Sequence, residues 1–501
     1  MLKVSLMMGG LPWRHSCVVW ALVLALGLVL VPPTFVRGAG IRELNEKLEA
    51  TLKRELPSSV SVSLQVVGLD NGQVLMEKNP DLPLVPASTM KIVTGSAALS
   101  ALQPDFVFVT EVLADKVKGP TVGNIYLKGS GDPYLVTEQL FKLTREVRDK
   151  GLTEVKGNIV VDDSYFIPGE PLDEQEKLGP RAYHAPYSAL SLNFNSVRIT
   201  VHPGAKSGDP AQVLFDHISE YSTVKARVKT VNGQQPANLA INRECTQKGG
   251  DVVVVSGAIG TAAASKSRYV NVCTPSLYAG EVFKEFLLRE GVKVNGKVVQ
   301  GKVPATAVSY YRFESLPLVI IVYYLNKYSN NVMAELLGLA LGAATYGAPG
   351  TREKGLAAIR KYLFSIGVDE GHFVLSEASG LSRNNRLSAS ALVKCLLTTA
   401  RSFPYNVEFI SSLGVAGVDG TLKEKFTDAG ARRRIRAKTG TLRGVKGLAG
   451  FGLSRDGKVF AFAILVNSGD TGAGFIDYGE RIARVILNMP LDKLPSGAGR
   501  P

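Results

Sequence analysis

The amino-acid sequence predicts an α+β fold, in which an antiparallel sheet is flanked by helices and interrupted by a large, mostly β insertion. Alternating apolar and polar residues around a tight turn occur near the start of the chain, and a second pattern of this kind occurs near its end. Between them, from about 104 to 304, short β-like runs are punctuated by Gly and Pro. The economical arrangement puts both hairpins in one sheet.

The first forty residues have the pattern of a targeting segment. Lys3 and Arg14 flank a polar start, and the apolar run from Ser16 to Val31 is shorter than the roughly 20 residues that a membrane span needs. Small residues follow at 38–40, as at a secretory cleavage site. We therefore expect 1–40 to be a signal peptide, with an uncleaved N-terminal anchor as the alternative. Either one places the rest of the chain outside the cytoplasmic membrane.

The elements after this segment follow from periodicity. An amphipathic helix is predicted because leucines recur at helical spacing among charged residues, at Leu44, Leu48, Leu52 and Leu56. Ser59–Val67 alternates as a half-buried strand does, Asp70-Asn71-Gly72 supplies a turn, and Gln73–Met76 is the predicted return strand. The first hairpin therefore lies directly after the opening helix.

The last part of the chain returns to helices and a hairpin. Leu316–Leu341 is rich in Leu and Ala and is predicted to be helical. Leu448–Leu453 and Val459–Val466 form the second predicted hairpin, and Phe475–Leu487 the final helix. The Pro- and Gly-rich tail, 491–501, is expected to be disordered.

Composition limits the class of protein. A chain of 501 residues is too long for one hydrophobic core and points to two or three domains. Its net charge of +14 favours polyanionic surroundings. Nucleic acid is not a predicted partner, because we find no helix-turn-helix, zinc-finger or arginine-rich segment.

Three cysteines follow the targeting segment: Cys245, Cys273 and Cys395. None belongs to a Cys-x-x-Cys pair and no histidine cluster lies nearby, so we predict no metal site. Cys245 and Cys273 could form a disulfide in an oxidising compartment, and two buried thiols are an equally good interpretation.

The first of three short motifs is Ser88-Thr89-Met90-Lys91, which follows Pro86-Ala87 and opens an apolar helical stretch. Side chains at i and i+3 share a helix face, so the lysine amine can take the proton of the serine hydroxyl if its pKa is lowered. The spacing alone is weak evidence, since Ser222 and Lys225 repeat it without a helix start.

The second motif is Ser329-Asn330-Asn331, which precedes another apolar helix. Its first and third side chains could point into one cleft, as a proton relay and a substrate ligand. Taken alone, a helix cap is the preferred interpretation.

The third motif is Lys438-Thr439-Gly440-Thr441. A glycine in a strand leaves room for a second backbone to lie alongside, while Lys438 and Thr439 hold a carboxylate. The alternative is a basic turn, given the nearby run Arg432-Arg433-Arg434.

Together the motifs are strong evidence, because serine on a helix, Ser-x-Asn between helices and Lys-Thr-Gly on a strand form the trio of β-lactamases and penicillin-binding proteins. The chain resembles the class C low-molecular-mass penicillin-binding proteins, the DacB-type D-alanyl-D-alanine carboxypeptidase/endopeptidases. The 241 residues between Ser88 and Ser329 match that family's long insertion, which β-lactamases lack. Further similar stretches are Lys128–Pro133, Gly157–Asp163, Ser188–Asn195 and Val415–Leu422.

The resemblance implies a function and a role for each site residue. Ser88 is the nucleophile and Lys91 its base, Ser329 relays a proton with help from Lys438, and no cofactor is needed. Asn331 holds the substrate backbone, Thr439 contacts the terminal carboxylate, and the backbone N–H groups of Ser88 and Thr441 form the oxyanion hole. Lys438, Gly440 and Thr441 also belong to the substrate-binding set. The implied partners are β-lactams and peptidoglycan stem peptides ending in D-Ala-D-Ala or cross-linked through D-Ala.

Two positions depart from the family's pattern. Asn330 stands where Asp is frequent, and Glu377-Ala378 replaces Asp-Gly before Ser379-Gly380. The middle residue of the second motif is not the proton relay, so we expect a change of degree there. At Glu377-Ala378 we expect a different local loop or substrate contact.

The implied domains are a catalytic domain, 41–103 with 305–490, and an inserted domain or domains, 104–304. A catalytically silent scaffold of the same fold, binding the cell wall, is the alternative function. We expect an exported, wall-associated protein, loosely attracted to anionic wall or membrane surfaces. The sequence leaves open the balance of carboxypeptidase and endopeptidase activity.

Overall fold

The computed structural model describes residues 45–46, 48–54, 59–167, 169, 179–216, 221–234, 238–469 and 478–488. The predicted signal segment and tail lie outside these ranges. The predicted opening helix is described over 45–46 and 48–54, where Leu48 and Leu52 are buried. Among the described residues, no helix combines the length and apolar character needed to cross a bilayer.

A six-stranded antiparallel sheet, the main sheet, forms the centre of the molecule. Its strands, in spatial order, are Val74–Lys78, Val60–Gly68, Val459–Ser468, Val445–Leu453, Ile435–Leu442 and Gly414–Val415. Val60–Gly68 pairs along its whole length with Val459–Ser468. The prediction that the first and last hairpins share one sheet is therefore confirmed.

Helices cover both faces of the main sheet. They are Met90–Leu102, Leu318–Tyr328, Asn331–Tyr346, Arg352–Ser365, Ala389–Arg401, Asn406–Ser412 and Tyr478–Asn488. Successive side chains of a strand point to opposite faces, so one strand serves two cores. Thus Ala463 and Leu465 pack under the helices that follow Ser88, whereas Phe462 and Ile464 pack against Tyr478–Asn488.

The inserted segment has its own sheets and its own buried core. One sheet has the strand order Val298–Gln300, Ile159–Asp162, Ile125–Gly129, Val109–Ala114 and Val308–Glu314. Three-stranded sheets follow, made of Gln212–Phe215, Ser196–His202 and Lys266–Asn271; of Ser222–Val231, Asp251–Gly260 and Asn238–Cys245; and of Lys293–Val294, Glu154–Val155 and Thr121–Val122. Helices Thr137–Asp149 and Pro275–Arg289 accompany them.

The strand that follows the predicted boundary at residue 304 packs with the inserted segment. Strand Val308–Glu314 pairs with Val109–Ala114, and Phe313 lies in the buried core of the insertion. We therefore propose that the insertion continues to the end of this strand. Cys245 and Cys273, whose state the sequence left open, are joined by a disulfide within it, and Cys395 is a buried free thiol.

Short elements complete the fold. Gly350–Thr351 pairs with Phe166–Ile167, and Phe373–Val374 pairs with Arg386–Leu387. Single 3₁₀ turns occur at Ala87–Thr89, Ala182–His184, Asn193–Asn195, Glu370–His372 and Gly420–Leu422. The first of them, Ala87–Thr89, leads directly into helix Met90–Leu102.

Candidate active site

Ser88 lies in the 3₁₀ turn that opens helix Met90–Leu102. The preceding residue, Ala87, has a φ of 46°, a left-handed conformation that is uncommon for a residue with a Cβ. Asn467 of the main sheet holds the segment before Ala87. Its Oδ1 accepts a hydrogen bond from the N–H of Val85 at 2.8 Å, and its Nδ2 donates one to the carbonyl of Val85 at 3.1 Å. The position of the serine is thus fixed by the sheet as well as by its own helix.

Lys91 lies one turn further along the same helix, and its side chain is completely buried. Its amine donates hydrogen bonds to Ser88 Oγ at 3.1 Å, to Asn331 Oδ1 at 2.8 Å and to the carbonyl of Ser379 at 2.6 Å. Burial lowers the pKa of Lys91 to about 8, although the carboxylates of Glu377 and Glu335 oppose the shift. A lysine with this pKa is neutral for a useful fraction of the time at neutral pH, so it can accept the proton of Ser88.

The second motif lies in the sharp turn between helices Leu318–Tyr328 and Asn331–Tyr346. Ser329 has a φ of 56°, and the side chain of Asn330 caps the second helix by accepting a hydrogen bond from the N–H of Met333 at 3.0 Å. The capping role therefore belongs to the middle residue, Asn330. The side chains of Ser329 and Asn331 are therefore free to face the cleft. Asn331 accepts from Lys91 through Oδ1 and donates from Nδ2 to the carbonyl of Tyr183 at 3.2 Å.

Lys438 of the third motif contacts Ser329 of the second motif. Its buried amine donates to Ser329 Oγ at 2.7 Å and to the carbonyl of Thr439 at 2.8 Å. Burial lowers the pKa of Lys438 well below its ordinary value, and the nearby charge of Lys91 lowers it further. Two lysines and two serines therefore alternate around one cleft, each serine in contact with one lysine.

Gly440 allows strand Ile435–Leu442 to lie against the segment that carries Ser88. A Cβ on Gly440 would come within 2.7 Å of the carbonyl oxygen of Pro86 and 3.2 Å of the backbone nitrogen of Ser88. Thr439 donates from Oγ1 to Thr421 Oγ1 at 2.8 Å, while Thr441, two residues along the strand, is exposed. The strand thus places its backbone beside Ser88.

One edge of this strand is open next to the serine. Along one side it pairs with Val445–Leu453 from end to end. On the other side, within the part of the chain that the structure describes, Gly414–Val415 pairs only with Arg436 and Ala437. Lys438–Leu442 therefore has no strand neighbour on this side among the described residues, and an extended peptide could pair there.

The predicted site residues thus come together, from positions up to several hundred residues apart. The decoy pair does not, because Ser222 and Lys225 lie in strand Ser222–Val231, where residues three apart point to opposite faces. Within the described ranges, no group of His, Cys, Asp and Glu side chains is arranged to hold a metal ion.

Sequence reasoning missed the loop that positions Lys91. Glu377 accepts hydrogen bonds from the backbone N–H groups of Ser379 at 2.9 Å and Gly380 at 2.6 Å, and from the side chain of Asn385. Glu335 accepts one from the N–H of Ala378 at 2.9 Å. The two buried carboxylates hold the loop so that the Ser379 carbonyl faces Lys91. In the sequence, this loop was indicated only by Glu377-Ala378, which stands where the resembling family frequently has Asp-Gly.

The fold and the site define a class of protein: the penicillin-recognising serine enzymes, in which a lysine stands where serine proteases use a histidine. Residues 44–479 match the family described as the D-Ala-D-Ala carboxypeptidase 3 (S13) family. The chain belongs to this family. It is accordingly a D-alanyl-D-alanine carboxypeptidase of the penicillin-binding type, a hydrolase, and the silent-scaffold alternative is set aside.

Relatives of known name agree with this assignment. The chain is 34% identical over 478 residues to the D-alanyl-D-alanine carboxypeptidase of Actinomadura sp. strain R39, covering 92% of this chain and 87% of that protein. It is 26% identical to D-alanyl-D-alanine carboxypeptidase DacB of Haemophilus influenzae, covering 84% and 88%. The crystal structure of penicillin-binding protein 4 from H. influenzae superposes with a TM-score of 0.74 at 23% identity, covering 87% of this chain and 97% of that one, and shows the same fold.

Proposed function

We propose that this enzyme cuts the D-alanyl peptide bond of peptidoglycan stem peptides through an acyl-enzyme on Ser88. The observation that carries the proposal is the 3.1 Å contact between Ser88 Oγ and the buried amine of Lys91, whose pKa is lowered to about 8. A serine becomes a nucleophile when a neighbouring base takes its proton, and a desolvated lysine is such a base.

In the first step Ser88 Oγ bonds to the carbonyl carbon of the penultimate D-Ala, and its proton passes to Lys91. The carbonyl π electrons move to the oxygen, which becomes an oxyanion. We assign its two donors to the backbone N–H groups of Ser88 and Thr441. The close approach of Gly440 to the Ser88 nitrogen supports this assignment, since it brings the two backbone segments together.

In the second step the oxyanion collapses, and the bond to the terminal D-Ala breaks. The departing nitrogen needs a proton, which Ser329 Oγ donates as it takes another from Lys438. The 2.7 Å contact between Lys438 and Ser329 supports this relay. Water then attacks the ester on Ser88 and gives a proton to Lys438, which replaces the proton that this lysine lost. Lys91 returns its proton to Ser88 Oγ as the ester bond breaks, and the acid product leaves.

The open edge Lys438–Leu442 is the proposed binding surface for the substrate backbone. Asn331 holds the substrate amide, and Thr439 contacts the terminal carboxylate. β-Lactams would enter the same cleft and acylate Ser88. The set of residues serves both a carboxypeptidase and an endopeptidase, so release of D-Ala from a pentapeptide and cleavage of cross-linked dimers measure the balance between them.

We also propose that the enzyme works outside the cytoplasmic membrane, where peptidoglycan lies. The pattern of residues 1–40 and the Cys245–Cys273 disulfide support export, since disulfides persist in oxidising compartments. The net charge of +14 supports loose attraction to the anionic wall or membrane surface.

Covalent labelling with a fluorescent penicillin tests the assignment of Ser88. The wild-type protein should be labelled, and Ser88→Ala should lose labelling and D-Ala release by more than about 10³-fold. Ser222→Ala is the matched control, because Ser222 also has a lysine three residues on, and it should keep both activities. An unlabelled wild-type protein would contradict the acyl-enzyme, and a labelled Ser88→Ala variant would move the nucleophile elsewhere.

A further inference from the structure

The open edge beside Ser88 is closed at one end by a loop, residues 414–422, which we call the end loop. Its first two residues, Gly414 and Val415, pair with Ala437 and Arg436. The loop then turns back through a 3₁₀ turn at Gly420–Leu422. This return brings Thr421 Oγ1 to 2.8 Å from Thr439 Oγ1, at the point where the open edge begins.

The end loop is held rigidly by one buried lysine. The amine of Lys327 contacts both carboxylate oxygens of Asp419 at 2.8 Å and the carbonyl of Leu413 at 2.7 Å. Asp419 in turn accepts a hydrogen bond from the N–H of Val415 at 2.8 Å. Lys327 lies on the helix that ends at Ser329, so the end loop is tied to the same element as the second motif.

Gly414 and Gly420 allow the two turns of the end loop to pack closely against each other. Gly420 has a φ of +58°, and a Cβ on it would lie 3.2 Å from the Cα of Gly414 and 3.3 Å from the Lys327 side chain. The two turns of the loop therefore touch, with no room for a chain between them. An extended peptide beside Lys438–Leu442 cannot continue past Lys438 along this edge.

The direction in which a substrate peptide runs along the open edge follows from which of its groups lies at Thr439 and which at Thr441. If the scissile carbonyl lies at the N–H of Thr441 and the carboxylate at Thr439, the substrate runs antiparallel to the strand. Its carboxyl end then points at the end loop. Resting on the proposed function, we infer that Thr421 of the end loop is a second hydroxyl ligand of the substrate's terminal carboxylate, beside Thr439.

The chemistry of the two threonines suits this role. Both side chains are half-buried at the cleft, and either hydroxyl can turn its proton from the other oxygen to an incoming carboxylate. A pair of hydroxyls can bond both oxygens of one carboxylate. Hydrogen bonds to a charged group are about twice as strong as neutral ones, so the pair discriminates an acid from an amide.

The test compares two reactive substrates in wild type and Thr421→Val. One is an acyl-D-alanyl thioester whose leaving group ends in a carboxylate, and the other is the same thioester ending in a carboxamide. Thr421→Val should lower kcat/KM for the acid about 10-fold or more, mainly through KM, and change kcat/KM for the amide less than about 2-fold. Thr421→Ser, which keeps the hydroxyl, should stay within about 3-fold of wild type on both.

Thr427→Val makes the same replacement at an exposed threonine near the end loop and should match wild type on both substrates. Equal losses of Thr421→Val on acid and amide would overturn the inference, as would a wild-type enzyme that processes both equally well. Failure of the wild-type enzyme to form an acyl-enzyme on Ser88 with either thioester would instead overturn the proposed function.

Discussion

At the scale of single residues, the site is an arrangement of buried charges. Lys91 and Lys438 are both fully buried, and burial disfavours the charged form of each. Glu335 and Glu377, also buried, favour the charged form of Lys91 and so limit the fall of its pKa. The balance leaves Lys91 as a base that can both take and return a proton near neutral pH, which a fully desolvated lysine could not do.

The lowered pKa of Lys91 predicts a pH dependence for acylation. Only the neutral amine can accept the Ser88 proton, and below a pKa of about 8 each unit of pH lowers its neutral fraction about tenfold. The second-order rate constant for penicillin acylation should therefore rise with pH and level off above this value. Stopped-flow labelling from about pH 6 to about pH 9.5 measures the profile.

Circular dichroism over the same pH range provides the control, since a loss of folded protein would distort the rates. A rate that is constant or that falls between neutral pH and pH 9 would contradict the role of Lys91 as the base.

At the scale of elements, Ser88, the proposed nucleophile, is held by three parts of the chain that are far apart in sequence. The main sheet fixes Val85 through Asn467, the third-motif strand packs on Pro86 through Gly440, and the loop of Gly380 packs on Ala87. Each contact is backbone to backbone or through one short side chain. The strained turn before Ser88 therefore depends on its neighbours and not on local sequence alone.

Gly380→Ala should disturb this packing directly. Gly380 has a φ of +83°, and a Cβ there would lie 1.9 Å from the carbonyl oxygen of Ala87, so either the turn or the loop must move. A misplacement of about 1 Å costs about 100-fold in reactions that depend on positioning, and we expect such a loss in penicillin acylation.

The matched control is Gly371→Ala, because Gly371 is exposed and a Cβ there would meet nothing within 4 Å. Acylation rates of Gly380→Ala and Gly371→Ala that both equal the wild-type rate would show that the Ala87 turn does not depend on this contact. Thermal unfolding of each variant separates misplacement of Ser88 from loss of the fold.

Local patterns predicted the elements well, because hairpins and apolar helices are determined by nearby residues. The pairing of Val60–Gly68 with Val459–Ser468 followed from matching two similar hairpins. The partners of Lys91 did not follow, since Ser379 and Asn331 lie 288 and 240 residues away. The motif also could not show which residue of Ser329-Asn330-Asn331 caps the helix, because Ser and Asn cap helices about equally well.

At the scale of the whole molecule, the insertion has cores of its own. One buried cluster includes Val112, Ile159 and Phe283, and another includes Val201, Val253 and Val270. The disulfide joins the end of strand Asn238–Cys245 to the segment before helix Pro275–Arg289, so it braces the insertion. We therefore expect the stability of the insertion and the chemistry at Ser88 to be separable.

The double variant Cys245→Ser, Cys273→Ser tests this separation. A cross-link that closes a loop of 28 residues is worth about 3 to 4 kcal/mol in the chain-entropy account, so the variant should lose a large part of that in free energy of unfolding. Penicillin labelling at 25 °C should persist. Differential scanning calorimetry measures the first quantity and gel fluorescence the second.

Reductant is the control, since it should lower the unfolding temperature of the wild-type protein and leave the double variant unchanged. A variant that unfolds at the wild-type temperature would show that the disulfide adds no stability. Loss of labelling in a folded variant would show that the insertion and the active site are coupled.

The central pairing of the main sheet has a consequence for the timing of biosynthesis. Strand Val60–Gly68 and Ser88 leave the ribosome early, but their partners, Val459–Ser468 and Asn467, are made more than 370 residues after the serine. During synthesis Ser88 therefore exists for a long time without the strand that fixes its position. We expect the hydrolase to become active only after Val459–Ser468 has been made and has paired with Val60–Gly68, so shorter translation products should not cut peptidoglycan.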